Sequence, residues 1–166
     1  MKTITFNNQE ALQAKTGKVI LARPLDPQPE DGYTFDSILS ENDYFSLDGS
    51  DVKAIAIFSK FPDCAPTGMA RSITENIPLQ YPVGSRLDVR ETWDYLYCEY
   101  TDHDTGEIRD IESKFVYKAD KELPVHHWHS PSTMPHDAIR KWLVVVDNKI
   151  EFKNNVYSEI ITCEVE

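Results

Sequence analysis

The side chain with the largest chemical consequence in this sequence is Glu91. The stretch Tyr81-Pro-Val-Gly-Ser-Arg-Leu-Asp-Val-Arg-Glu-Thr-Trp93 opens on a turn signal, Pro82 and Gly84, and then alternates. Leu87, Val89 and Glu91 share one face, and Arg86, Asp88 and Arg90 share the other. With Val, Thr and Trp present, that period of two predicts a strand. A carboxylate at the end of the apolar face must find a partner, face a cavity or emerge into solvent, because burying it unpaired is costly. A second group is the histidine-rich segment His126-His127-Trp128-His129 with His136, four of the five histidines. Neutral imidazoles suit zinc. No ordered second set of ligands accompanies them, Cys98 and Cys163 being only candidates, so neither a metal nor a cofactor is expected. A third group is acidic: Asp31, Asp36, Glu41, Asp43, Asp48 and Asp51. It lacks the Asp-x-Asp-x-Asp-Gly spacing of a calcium loop and suits a partner surface. No Gly-rich phosphate loop, Ser-His-Asp spacing or internal repeat occurs.

The bulk numbers bound what these groups can serve. The chain has 166 residues, 40% hydrophobic and 27% charged, which suits one soluble globular domain with a real core. The net charge of -11 disfavours simple binding to nucleic acid, whose phosphates it repels. That charge leaves room for a local basic pocket, and it equally fits solubility or the binding of a basic protein surface. Cys64, Cys98 and Cys163 are odd in number and widely spaced, which points to a reducing compartment and to buried apolar thiols. No apolar run approaches the roughly 18 residues of a membrane span, so no membrane partner is expected. The first residues lack an apolar signal core, so a cytoplasmic location is expected.

The elements that must position these groups follow from patterning. Lys2 to Phe6 predicts a strand. Asn7 or Asn8 predicts the cap of a helix running from Asn8 to Lys15, with Ala11, Leu12 and Ala14 apolar and Gly17 ending it. Val19 to Ala22 predicts an extended piece that Pro24 stops. Residues 26–50 predict a long acidic excursion tacked down by aromatics, with a helical turn at Asp36 to Ser40. Val52 to Phe58 predicts a central strand. A connection follows from Lys60 to Pro78, with a helical turn near Met69 to Asn76. After the Glu91 strand, Tyr95 to Tyr100 and the segment from Ile108 to Tyr117 predict a hairpin about Thr105-Gly106. Lys141 to Val146 predicts a buried strand, with a tight turn at Asp147-Asn148 and another at Asn154-Asn155. Val156 to Val165 predicts a last alternating strand, with Glu159, Ile161 and Cys163 on one side.

The sequence also carries a resemblance. Gly84-Ser-Arg-Leu-Asp-Val-Arg-Glu-Thr-Trp93 resembles the PGDRLWVRETW segment of phage and prophage proteins with an ASCH domain, a branch of the PUA-like superfamily; Ser85 and Asp88 depart from it. Lys18, Arg23, Pro24, Leu25, Pro27, Gln28 and Pro29 fall on the family's Lys motif and the segment after it. Thr16 replaces a family Gly, and Leu21 replaces a family Thr or Glu. Phe115-Val-Tyr-Lys-Ala-Asp120 and Trp128-His-Ser-Pro-Ser-Thr-Met-Pro135 resemble two further family segments. The resemblance implies an α+β, mostly β fold: a PUA-like mixed or antiparallel β-barrel with one or two short helices, formed by residues 1–166 as a single domain. It also implies a catalytic pair, Lys18 and Glu91, whose nucleophile position is Leu21, which has no hydroxyl. That loss counts against an enzyme; if one remains, it is a hydrolase of the ASCH amidohydrolase or nuclease type. Pocket ligands implied are Lys18, Arg23, Arg90, Glu91, His129 and Ser132.

Three functions therefore compete. One is a nucleotide- or RNA-binding module with a degenerate catalytic site, taking a nucleotide or single-stranded RNA. Another is an acidic phage interaction protein that binds and inhibits a basic host protein of defence or nucleic-acid binding, in the bacterial host cytoplasm. The third is an amidohydrolase or nuclease acting on modified nucleosides or RNA.

Overall fold

The computed structural model describes residues 2–40, 54–60, 72–97, 99–110, 113–120 and 127–166. In chain order the elements are β1 (Lys2–Thr5), α1 (Asn8–Gln13), β2 (Lys18–Pro24), β3 (Thr34–Ser40), β4 (Ala54–Lys60), β5 (Ile73–Pro78) and β6 (Arg86–Arg90). They continue with β7 (Trp93–Leu96), β8 (Glu99–Thr101), β9 (Ile108–Asp110), β10 (Lys114–Tyr117), β11 (Trp142–Lys153) and β12 (Val156–Val165). The fold is mostly β, and α1 is the single α-helix among the described residues. The strands are ordered β1-β6-β11-β12-β2 in one sheet and β3-β4-β5 in another, with β10-β7 and β8-β9 as two-stranded pairs. Among the described residues none of these sheets closes into a barrel. The chain gathers into two compact units. The first is Met1–Val19, Arg86–Leu143 and Glu164–Glu166; the second is Ile20–Ser85 and Val144–Cys163.

In the first unit β1 pairs in parallel with β6, Ile4 opposite Val89, and Ile4, Leu87 and Val89 are buried. The apolar face of β6 is therefore buried as predicted, but Asp88 on the opposite face is buried as well, at 5% exposure, so the strand does not alternate strictly between core and solvent. The predicted first helix forms as α1, where Asn7 and Glu10 make a reciprocal capping box that satisfies two backbone N–H groups of the first turn. Ala11 and Ala14 face inward, whereas Leu12 is 38% exposed. A 3-10 turn at Ala14–Thr16 ends on Gly17 at φ 86°, a left-handed conformation that glycine adopts without strain. β7 and β10 pair antiparallel, and the β8–β9 hairpin closes through the Asp102 carboxylate, which accepts from the Asp104 and Thr105 N–H groups. A small apolar cluster of Met134, Ala138 and Ile139 packs with Trp93, Phe115, Tyr117 and Trp142.

In the second unit β4 lies between β3 and β5, antiparallel to both. Ala54, Ile55, Ala56 and Phe58 are all buried, as a central strand requires. Phe58 meets Phe35 and Tyr157 edge to face. Three sequence expectations are corrected here. Asp36 to Ser40 is not a helical turn but part of β3. Pairing with β4 supplies its backbone partners, and a register shift between Phe35 and Ser37 absorbs the irregular pattern. Of the turn expected near Met69 to Asn76, residues 73–76 belong instead to β5, which pairs along β4; residues 69–71 lie outside the described residues. The turn expected at Asp147-Asn148 does not form, and β11 runs straight through it. The Asn148 amide is instead used across the unit, donating to the Tyr81 carbonyl and the Glu159 carboxylate. The predicted turn at Asn154-Asn155 does form, with φ of 54° and 61°. Both residues are left-handed, as a two-residue type I′ hairpin requires.

That hairpin gives a stability test. Asn155→Val places a β-branched side chain in left-handed backbone and is expected to lower the unfolding free energy by about 1–2 kcal/mol. Asn155→Gly is expected to hold or raise it. Urea denaturation midpoints of the two variants read the difference directly.

Candidate functional site

Glu91 follows β6 and continues its apolar face, so its side chain points inward and is only 2% exposed. It does not emerge into solvent; it finds partners. Arg140 donates from Nη2 to Oε2 at 2.7 Å and from Nε to the same oxygen at 3.2 Å. Lys141 donates from Nζ to Oε1 at 2.5 Å. Both cations stand immediately before β11, whose start is aligned on β6 by the Val89 N–H bond to the Lys141 carbonyl. The Glu91 backbone N–H meets the Met134 sulfur at 3.2 Å. Each carboxylate oxygen therefore has a charged donor, which is the condition under which a buried charge is tolerated.

The network continues outward. Arg140 also donates from Nη1 to Asp120, and Asp120 pairs with Lys15 at 2.9 Å. Lys15 further donates to the Ala119 carbonyl. The Arg140 guanidinium lies 3.7 Å from the centroid of the Tyr117 ring, within range of a strong cation–π contact. Burial pushes the Tyr117 hydroxyl above its usual pKa, Arg140 pulling the other way, and that hydroxyl donates to the Ala138 carbonyl. Partial burial pushes the Asp120 carboxyl up. The hydrogen bonds from Arg140 and Lys15 outweigh it and hold Asp120 below its ordinary 3.8.

The residues implied by the family resemblance are placed differently. Val19 and Leu21 face the interior of β2, and Lys18 and Ile20 lie on its exposed face. Among the described residues no hydrogen bond or ion pair joins Lys18 to Glu91, so the implied catalytic pair is not assembled. Leu21 is a core residue. Arg23 belongs to the second unit, where it donates to the Ala22 carbonyl. Arg90 and Ser132 do come together, but structurally: Arg90 donates to the Ser132 carbonyl at 3.1 Å and holds the 3-10 turn at Pro131–Thr133. The Ser132 hydroxyl pairs with that of Ser130. His129 bridges Trp93 in an antiparallel backbone pair and stacks on its ring, centroids 4.9 Å apart, with Asp94 at 3.5 Å.

Among the described residues no group of three His, Cys, Asp or Glu side chains is placed to hold a metal ion. His126, Cys64 and Cys98 lie outside the described residues. Burial pushes the Cys163 thiol up to about 11 against the smaller pull of Arg23, so it stays protonated at neutral pH and is a poor metal ligand.

Sequence reasoning missed Arg140, Lys141, Asp120, Lys15 and Tyr117. A usable signal was present: two adjacent cations directly before an apolar strand, with one inward-facing carboxylate awaiting a partner. It missed Glu159 as well. That carboxylate is fully buried in the second unit and accepts from the Gln80 N–H at 2.6 Å, the Tyr81 N–H at 3.1 Å and the Asn148 amide at 2.8 Å. Comparison of the chain with known protein families, curated proteins and solved structures finds no match.

Two outcomes follow. Arg140→Leu should cost about 3 kcal/mol by leaving a buried charge under-paired. The double variant Glu91→Leu with Arg140→Leu should cost less than the two single changes together by roughly 1–3 kcal/mol, measured in a denaturant double-mutant cycle. The second outcome concerns pH. Because Asp120 is depressed in the folded state, its contribution is complete above its unfolded pKa and disappears as pH falls through the lower folded value. Stability should therefore fall as pH drops below the ordinary carboxyl value of 3.8, and Asp120→Asn should flatten that acid limb of the profile in thermal melts.

Proposed function

We propose that this chain is an ASCH-type, PUA-like binding protein that acts by association rather than turnover, and that its partner is a positively charged protein. What carries the reading is the closure of Glu91. Both its oxygens are engaged by Arg140 and Lys141, so no free carboxylate is available as a base. Lys18 faces outward on β2, and Leu21, in the nucleophile's place, is core. A general base must reach the proton it takes, and this one is already saturated.

The sign of the partner follows from charge. The second unit holds 6 of the 17 basic and 13 of the 28 acidic residues, a net -7 of the total -11. Such a field accelerates encounter with a basic surface and repels phosphates. In a phage setting the partner would be a basic host protein of defence or nucleic-acid binding, met in the bacterial cytoplasm. The RNA-binding reading keeps one observation in its favour. The Trp93–His129 stack, with the His129 side chain 48% exposed, offers a ring on which an unpaired base can stack.

The test is a thermal-shift screen with nucleosides, nucleotides and short RNAs, beside binding of a fluorescent Arg/Lys-rich peptide, on wild type and Lys18→Ala. The expected result is no nucleotide-dependent shift, and peptide binding that weakens at least tenfold between about 50 and 300 mM salt while ignoring Lys18→Ala. A nucleotide shift abolished by Lys18→Ala, or hydrolysis of the nucleotide, would sink the reading.

A further inference from the structure

A cleft of about 470 Å³ opens on the second unit, between the segment from Gln28 to Thr34 and the turn end of the β11–β12 hairpin. That volume is in the range of specific ligand sites. One wall is aromatic: Phe152 and Tyr157 lie 4.5 Å apart, and Phe152 is 57% exposed although its neighbours are polar. The opposite rim carries Glu30 and Asp31.

The loop is held before any ligand arrives. Gln28 donates to the Leu25 and Tyr157 carbonyls at 2.6 and 2.9 Å and accepts from the Tyr157 N–H at 2.9 Å. The Tyr157 hydroxyl donates to the Tyr33 carbonyl at 3.3 Å, and the Glu30 N–H is bonded to the Glu75 carboxylate. The chain also supplies one example of what this loop accepts. The Lys60 ammonium sits over the Tyr33 ring, 5.9 Å from its centroid, and donates to the Asp31 carbonyl at 3.0 Å. Gly32 permits the approach, since a Cβ there would stand 3.0 Å from both Lys60 Cε and Nζ.

We infer that the cleft docks an extended, Lys/Arg-bearing peptide segment of the partner, with a cationic side chain over Phe152 and Tyr157 and its charge facing Glu30 and Asp31. The inference rests on the proposed reading of the chain as a binder of basic protein. The aromatic wall supplies cation–π attraction, and the carboxylates in a unit of net -7 supply the complementary charge. A prebuilt loop lowers the ordering cost of binding. Nucleic acid suits the wall but not the rim, which would meet its phosphates.

The experiment measures, by fluorescence anisotropy, binding of an acetylated decapeptide alternating Arg and Gly. Three variants are compared with wild type: Phe152→Ser, Glu30→Gln with Asp31→Asn, and the charge-matched Asp104→Asn with Asp137→Asn in the first unit. Phe152→Ser should weaken binding about fivefold with no change in charge. The cleft carboxylate pair should weaken it about tenfold, and the control pair less than twofold. Equal effects of the two charge pairs, with Phe152→Ser silent, would overturn the cleft while leaving a basic partner in place. No peptide binding by wild type would overturn both. An RNA oligonucleotide whose binding Phe152→Ser abolishes would reassign the cleft to base stacking. A concentration-dependent dimer in sedimentation that Phe152→Ser dissolves would reassign it to self-association.

Discussion

The first unit depends on keeping a charge out of water. Glu91 is delivered inward by the alternation of β6, and a carboxylate at 2% exposure has no solvation of its own. Desolvation of an unpaired ion costs several kcal/mol, so the surrounding chain must bring cations to it. Arg140 and Lys141 do so from the start of β11, which ties the end of one strand to the beginning of another. Arg140 then needs its remaining N–H groups satisfied, which brings in Asp120 after β10, and Asp120 brings in Lys15 after α1. One inward carboxylate thus fixes the relation of four pieces of chain. The Tyr117 ring beneath the guanidinium, and the short 3-10 turns that place Met134 and Ala138, belong to the same construction.

The second unit solves a similar problem with different donors. Glu159 is as buried as Glu91, but the side-chain and backbone partners it has are amide N–H groups: two from the backbone of Gln80 and Tyr81 and one from Asn148. Those two backbone groups follow β5, and the carboxylate accepts from both as a terminal strand partner would. The contrast lies in the donors: charged side chains meet the buried carboxylate of the first unit, and amide N–H groups meet that of the second.

How much of this was legible follows from which interactions are local. Period-two patterning marked β6 and β12, and an apolar run on both faces marked β4, because their buried faces meet neighbours that demand only apolar character. The capping box of Asn7 and Glu10 and the left-handed Asn154-Asn155 turn were legible because each is decided within four residues. β3 and β5 were not. Asp36, Ser37 and Ser40 favour turns locally, and only pairing along β4 overrides them. Asp147-Asn148 looks like a turn for the same reason, and a contact with Tyr81, distant in sequence, decides otherwise. At the site, the inward face of Glu91 was readable, but its partners were not, because Arg140 lies 49 residues away and its identity as partner is fixed by strand order rather than by spacing. Lys18 illustrates the converse: a motif position can be matched in sequence while the strand's period turns the side chain outward.

The two kinds of carboxylate also explain why charge alone is an incomplete description of recognition. A net charge of -11 acts over about a Debye length, roughly 8 Å at physiological salt, and speeds encounter with any basic surface. It cannot choose among such surfaces. Choice requires groups whose attraction is short-ranged and geometrically demanding, and around the cleft the rings of Phe152 and Tyr157 are of that kind. Rings contribute only to a cation seated over them, so they discriminate where the field does not. On the proposed reading the acidic field and the aromatic cleft would be complementary, the first setting how often a basic partner arrives and the second which arrivals stay.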